Sequence, residues 1–264
     1  MSRLAIIAGQ GGLPAALIAA LTERPMVCAL DGFAPEGVKI DQIFRVERLA
    51  LFLRHLEDAG ITQVIFAGAV QRPRLDPSLF DPQTAQMVPR LLAAMQSGDD
   101  ATLREVIAIF EDAGFEVVGV ESIAPALLPA AAVLAGTLTT QHEADATRAE
   151  AITTALGAVD VGQGCVVASG LCLAVEALPG TDAMLKSIAQ MPDNLRPKGG
   201  LFYKGAKPNQ DRRIDLPTMG MDTLRLVAEA NLAGIAFQAG SVICLDLPEM
   251  TTYAEARGLL LWAR

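Results

Sequence analysis

Between residue 3 and about residue 120 the chain repeats one pattern: a short apolar run, a turn rich in glycine or proline, then a helical stretch. Short apolar runs without polar alternation suit strands buried on both faces, as in parallel sheets. Residues 4–8, 26–30, 42–46 and 64–67 read as such strands, and 115–120 closes the series. Parallel neighbours cannot be joined by a tight hairpin, so the segments between them must be crossovers. Residues 14–21, 49–59, 85–96 and 101–113 read as those helices, with Pro14 in a first turn and Gly60 as a stop. The pattern predicts an α/β fold whose residues 1–122 form a Rossmann-like parallel-sheet domain that binds a nucleotide.

The rhythm breaks at 123–141, where Pro125, Pro129 and Ala130-Ala131-Ala132 mark an interdomain junction. Beyond a helix at 143–156, strands at 165–168 and 171–176 are separated only by Ser169-Gly170, which reads as a hairpin. Further strands at 201–204, 235–237 and 242–245, a helix at 223–233 capped by Asp222, and an apolar end at 259–262 complete a mixed α+β domain over 142–264. A chain of 264 residues has the volume for two such domains.

Composition narrows the function. With 21 Lys+Arg against 30 Asp+Glu, the net charge of −9 argues against nucleic-acid binding, so an anionic ligand must be held by local groups. Cys28, Cys165, Cys172 and Cys244 form no CxxC, and each lies in an apolar run where a buried free thiol is expected. His55 and His142 are isolated, so neither a Ser-His-Asp triad nor HExxH chemistry is available. No apolar run reaches the roughly 18 residues of a membrane span, and the N-terminus passes directly into a strand pattern, so a cytoplasmic protein is expected.

Several stretches place glycine or polar residues at element ends. Gly9-Gln10-Gly11-Gly12-Leu13-Pro14 follows the first strand, where a helix N-terminus offers unpaired N–H groups to phosphate; Gly11, Gly12 and Leu13 are candidate contacts. Asp31 lies where a dinucleotide fold keeps its ribose-binding acid, but Pro14 occupies the third glycine's place, so a plain tight turn explains the motif equally well. In Phe66-Ala67-Gly68-Ala69-Val70-Gln71-Arg72-Pro73, Gly68 and Ala69 sit at a strand's carboxyl end and Arg72 can reach a phosphate or a uracil edge, or solvent. Gly98-Asp99-Asp100 offers two carboxylates to a metal, or a helix cap. Gln163, before the hairpin, and Thr181, after it, suit sugar, base or phosphate oxygens, while Asp182 contacts a ligand or caps the next helix.

The segment from Lys204 to Gly220 concentrates two lysines, two arginines and two aspartates in a loop confined by glycine and proline. Lys204 and Lys207 carry compact charges suited to phosphate oxygens. Asp215, before Leu216-Pro217-Thr218, can bind Mg²⁺ or orient water, with Thr218 beside it. Cations for phosphate and a carboxylate for metal or water point to phosphoryl chemistry.

Taken together and in order, the Gly9–Pro14 turn, the 66–73 stretch, Gly98-Asp99-Asp100, Asp160-Val161-Gly162-Gln163-Gly164, Glu176 with Gly180-Thr181-Asp182-Ala183-Met184-Leu185, and the Lys204–Gly220 run resemble the LpxI-type UDP-2,3-diacylglucosamine pyrophosphatases along nearly the whole chain. The resemblance implies a two-domain enzyme of lipid A biosynthesis that hydrolyses UDP-2,3-diacylglucosamine to UMP and 2,3-diacylglucosamine 1-phosphate. It implies a divalent cation, Mg²⁺ or Mn²⁺. The family's essential aspartate, in its Asp-Leu-Pro motif, matches Asp215; its glycine-rich turn matches Gly11 and Gly12, and its lysine before proline matches Lys207. Asp215 is then the metal ligand or water-positioning group, and Lys207, with Lys204, neutralises the diphosphate. Ala69 stands where the family often has Asn, and Gln10 and Asn209 where glycine is common, so contacts there are altered. The acyl chains are expected in an apolar cleft lined by 123–135 and the 183–191 helix, with peripheral contact at the inner membrane; a homodimer stays open. A nicotinamide-dependent (NAD) oxidoreductase and a non-catalytic sugar-nucleotide-binding protein are the alternatives.

Overall fold

The computed structural model describes residues 3–264 except Arg72, Ser97, Asp193, Arg196, Lys198 and Asn209, together with the side chains of Asp99 and Asp100. The chain divides into two compact units, Met1–Pro125 with Asp211–Asp215, and Ala126–Gln210 with Leu216–Arg264.

The first unit runs β1 (Leu4–Ala8), α1 (Leu13–Ala20), β2 (Met26–Leu30), β3 (Gln42–Phe44), α2 (Leu49–Asp58), β4 (Gln63–Ala67), α3 (Thr84–Gln96), α4 (Asp99–Asp112), β5 (Glu116–Val117) and α5 (Val120–Ile123). The sheet order is β3-β2-β1-β4-β5 and every pairing is parallel. The chain therefore builds outward from β1 on one side and returns to build on the other, so the order reverses between β1 and β4. On α2, Leu49, Phe52, Leu53 and Leu56 recur at helical spacing, and all are buried. They meet Ala5, Ile7, Cys28 and Val64 of the sheet and Phe110 of α4 in one core. Each such burial contributes about 1.5–3 kcal/mol. The strand expected at 115–120 is shorter: pairing stops after Val117, and Val120 opens α5.

The second unit contains β6 (Ala132–Ala135), α6 (Thr140–Ala158), β7 (Gly164–Ala168), β8 (Leu171–Val175), α7 (Gly180–Ala189), β9 (Leu201–Lys204), β10 (Thr218–Met219), α8 (Met221–Glu229), β11 (Gly234–Phe237), β12 (Ile243–Cys244), α9 (Leu247–Arg257) and β13 (Leu260–Ala263). Its six-stranded sheet has the order β6-β13-β11-β9-β7-β8. The three central strands β13, β11 and β9 are parallel, flanked by antiparallel β6 and by the antiparallel β7–β8 hairpin. The segment 123–141, read from sequence as a junction, thus supplies an edge strand. β10 and β12 pair separately.

One face of this sheet buries Leu185 and Ile188 of α7 with Leu224 and Val227 of α8. The other packs Ala146 and Ala149 of α6 on Cys165, Val167, Leu201 and Tyr203. Asp145, on α6 and fully buried, accepts hydrogen bonds from the backbone N–H groups of Ser169 (3.0 Å) and Gly170 (2.7 Å) and from Gln141. A buried carboxylate is tolerable only when satisfied in this way, and here it locks the hairpin turn to the helix.

Two expectations change. Cys28, Cys165 and Cys244 are buried, and burial pushes each thiol up to about 12, but Cys172 is exposed because β8 is an edge strand. Met184, Leu185 and Ile188 of α7 belong to the core, so that helix cannot offer them to acyl chains. Among the described residues no helix is long and apolar enough to cross a membrane.

Candidate functional site

In the first unit, the turns after β1 and β4 meet where the strand order reverses, the usual place for a ligand crevice in an open α/β sheet. Gln10 and Ala69 exchange backbone hydrogen bonds of 2.8 and 2.9 Å, and Gly9 donates to Ala67 at 2.7 Å. The approach leaves no room for side chains: a Cβ on Gly9 would lie 2.5 Å from the Ala69 carbonyl oxygen, and one on Gly68 2.6 Å from those of Gly9 and Gln10. Gly68 also has φ +96°, which favours glycine. This close approach fastens together two stretches read separately from the sequence. Gly11 has open space around it and Gly12 begins α1, but Leu13 turns its side chain into the core, so only its backbone can face a ligand. Asp31 pairs with Arg45 at 3.2 Å. Arg72 lies outside the described residues, as do the carboxylates of Asp99 and Asp100.

The second unit concentrates polar side chains at the carboxyl end of β9. Lys204 is only 6% exposed, and its Nζ donates to Thr181 Oγ1 at 2.8 Å. Burial pulls the ammonium below the usual lysine value of 10.5, while Glu176 and Asp182 draw it back up. Gly164 stands opposite Lys204 in the β7–β9 register, and Gly205 donates to the Gln163 carbonyl at 3.0 Å. Thr181 and Asp182 both lie in the first turn of α7, whose N-cap is Pro179, so Asp182 is not the cap. The structure thus gathers Gln163, Thr181, Asp182 and Lys204 around one strand end. Thr218 lies in β10, outside the six-stranded sheet, its hydroxyl directed to the Leu216 carbonyl at 3.4 Å.

From Lys204 the chain enters the charged loop. Lys207 is ion-paired to Asp160 at 2.6 Å, so an anion recruiting it must compete with that carboxylate. The Lys207 backbone N–H is held by Gln210 Oε1 at 3.0 Å. Asp211–Asp215 then belongs to the first unit. Arg213 binds Asp211 at 2.8 Å and Glu111 of α4 at 2.7 Å, and Arg212 binds Glu121 of α5 at 3.2 Å. Ile214 packs on that unit's core, and Arg213 Cα would lie 3.3 Å from a Cβ on Gly119. The hydrogen bond from Arg213 holds the Asp211 carboxyl below the usual carboxylate range. The two arginines therefore act as anchors for the half-buried Asp215, whose backbone N–H bonds to the Asp211 carbonyl at 3.1 Å.

Sequence reasoning assigned no role to three groups here, Asp160, Glu176 and Gln210, although the first two lie in the stretches that carry the resemblance. Among the described residues the buried atoms Glu176 Oε2, Gln163 Oε1 and Gln210 Nε2 have no hydrogen-bond partner, which is uncommon for interior polar atoms. The flanking Gly162 and Gly164 were the available signal, because a Cβ on either would strike Glu176.

No three His, Cys, Asp or Glu side chains gather as a metal cluster among the described residues. Mg²⁺ is commonly held by one or two carboxylates with substrate phosphates and water, and the Asp215 side chain is of that ligand type.

Comparison with known proteins covers both units. The pattern of the LpxI N-terminal domain matches residues 3–127, and that of the LpxI C-terminal domain matches residues 129–262. The chain is 34% identical over 277 aligned positions to the UDP-2,3-diacylglucosamine pyrophosphatase LpxI of Caulobacter vibrioides, an alignment covering 99% of this chain and 97% of the relative.

Proposed function

Because the chain belongs to the LpxI family, we propose that it hydrolyses the pyrophosphate of UDP-2,3-diacylglucosamine, the substrate in its relative's name, to UMP and 2,3-diacylglucosamine 1-phosphate. The observation that carries this reading is the end-to-end match of both domain patterns. Hydrolysis of a diphosphate depends on positioning and charge neutralisation far more than on covalent catalysis. The charged loop and the β9 edge contain groups of that kind. Asp215 would hold Mg²⁺ or Mn²⁺, a cation that would neutralise charge on the diphosphate, or would position the attacking water. Lys207 leaves Asp160 to face the phosphates, and Lys204 supplies a second cation. The reaction takes place in the cytoplasm, at the surface of the membrane that carries the amphipathic substrate.

The dinucleotide alternative rests on a turn in which Pro14 stands where the third glycine of the motif belongs. Incubation with UDP-2,3-diacylglucosamine and Mg²⁺ should release UMP. Asp215→Ala should slow that release by at least about a hundredfold, the scale for removing a group that acts in the transition state. Turnover near the unsubstituted rate would remove Asp215 from the mechanism.

A further inference from the structure

We propose that Glu47 is a positioning residue at the ligand edge of the first sheet: it holds the loop after β4 in the form that receives the nucleoside half of the substrate. The identity of that ligand rests on the pyrophosphatase reading. The structural argument uses the first unit alone.

Strands β1 to β4 are parallel, so their carboxyl ends share one edge. A chain of charged residues crosses that edge. Arg45, just after β3, reaches Asp31, just after β2, at 3.2 Å, and Glu47 at 3.3 Å. Glu47 Oε1 accepts the backbone N–H of Asp76, on the loop after β4, at 2.9 Å. The Glu47 carbonyl accepts a second N–H from the same loop, that of Asp81, at 3.3 Å. Asp76 in turn orders its own neighbourhood, its carboxylate accepting from the Ser78 N–H at 2.9 Å and from Ser78 Oγ at 2.7 Å.

The rigid partner in this contact is Glu47. It sits in the single helical turn 46–48 that runs into α2, whose Leu49, Phe52 and Leu53 lie in the core. The dependent partner is the loop, where residues 70, 71 and 73–76 lie in neither helix nor strand. This stretch is fixed at both ends: Ala69 is tied to Gln10 and Asp76 to Glu47. The first tie is main chain to main chain, but the second depends on a side chain.

Glu47 is 2% exposed, and a carboxylate is not buried without cost. Burial raises its carboxyl, but hydrogen bonds from the Asp76 N–H and from Arg45 outweigh that and leave it below the usual carboxylate range. An apolar side chain would serve a turn that needed packing alone. An ionised group aimed at a loop N–H instead selects one loop conformation. The loop so held begins with Gly68 and Ala69, where the strand order reverses and open α/β sheets take ligands. Without the tether, binding would also have to order the loop.

Calorimetric titration of UMP into the full chain and its variants tests this. Glu47→Ala should weaken UMP about tenfold, the scale of ordering a few residues on binding. Glu47→Gln keeps an oxygen for the Asp76 N–H and should stay within about threefold of the native affinity. Arg45→Met, at a site exposed enough that folding is not at stake, removes the cation beside Glu47 and should weaken UMP about threefold. Amide exchange should quicken across residues 69–83 in free Glu47→Ala while β1 and α2 keep native protection. In turnover of UDP-2,3-diacylglucosamine, Glu47→Ala should raise KM about tenfold and leave kcat within about threefold. Native UMP affinity in Arg45→Met and in folded Glu47→Ala, exchange that quickens over the whole unit, or a native chain that binds no UMP overturns the proposal. The two readings fail separately. A chain whose UMP binding depends on Glu47 but which releases no UMP keeps the positioning role and loses the reaction. A chain that hydrolyses with native KM in folded Glu47→Ala keeps the reaction and loses the positioning role.

Discussion

At the carboxyl ends of β1 and β4 the surface is main chain, glycine upon glycine, with its hydrogen bonds already exchanged between Gln10 and Ala69. At the carboxyl end of β9 it is side chain: a buried lysine, a threonine, and carboxylate and amide oxygens without partners among the described residues. Both are strand-end sites of the kind where α/β sheets take ligands. At Gly9 and Gly68 the first has no space for side chains, which suits a fixed wall. The second keeps its polar groups in reserve at an energetic cost, which suits recognition. Similar positions in two sheets therefore predict different sensitivities to substitution.

The largest expected effect is on stability in the first unit. Gly68→Ala puts a Cβ 2.6 Å from two backbone oxygens at a φ of +96°, so both strain and collision apply. It should lower stability by about 2–3 kcal/mol in denaturant melts; an unchanged midpoint would mean that the two turns separate at little cost. An effect of about tenfold is expected for Arg213→Ala, which frees Asp211–Asp215 from Glu111. Loss of positioning should appear in kcat, with KM and the melting midpoint little changed; a fall in stability with kcat intact would make the anchor purely structural. The smallest effect is in pH. Burial holds the Lys204 ammonium below the usual lysine value of 10.5, so its positive charge is lost as pH rises through that lowered value. UMP or phosphate affinity should therefore decline about threefold or more toward alkaline pH. The decline should be absent from Lys204→Met, whereas backbone donors at Gly11 and Gly12 have no such titration.

The residues that announced their structure were those whose environment is local. The apolar runs of β1, β2 and β4 read correctly because both of their faces are covered, and Ser169-Gly170 marked its hairpin by turn chemistry alone. β6 did not announce itself: it lies mid-chain while its partner, β13, lies near the C-terminus, and its short alanine-rich run carries little strand signal. The same holds for the polar groups. Lys204 at the end of Leu201-Phe202-Tyr203 is visible as a lysine, but its burial depends on α7 and the hairpin. The Lys207–Asp160 pair joins positions 47 residues apart, a separation no spacing rule reaches. Glu176 looks like an ordinary strand terminator until the two glycines that it presses against are placed beside it.

Asp211–Asp215 completes the first unit, although it is encoded within the second. During synthesis Pro125 leaves the ribosome about 85 residues ahead of Asp211, a delay of roughly 4–17 seconds at ordinary elongation rates. For that interval the Ile214 docking position on the nascent unit has no occupant, and Glu111 and Glu121 await their arginines. A gene cut at the apparent boundary would make the interval permanent. The fragment Met1–Pro125 should accordingly be the one that chaperones retain and proteases find, while the full chain escapes both.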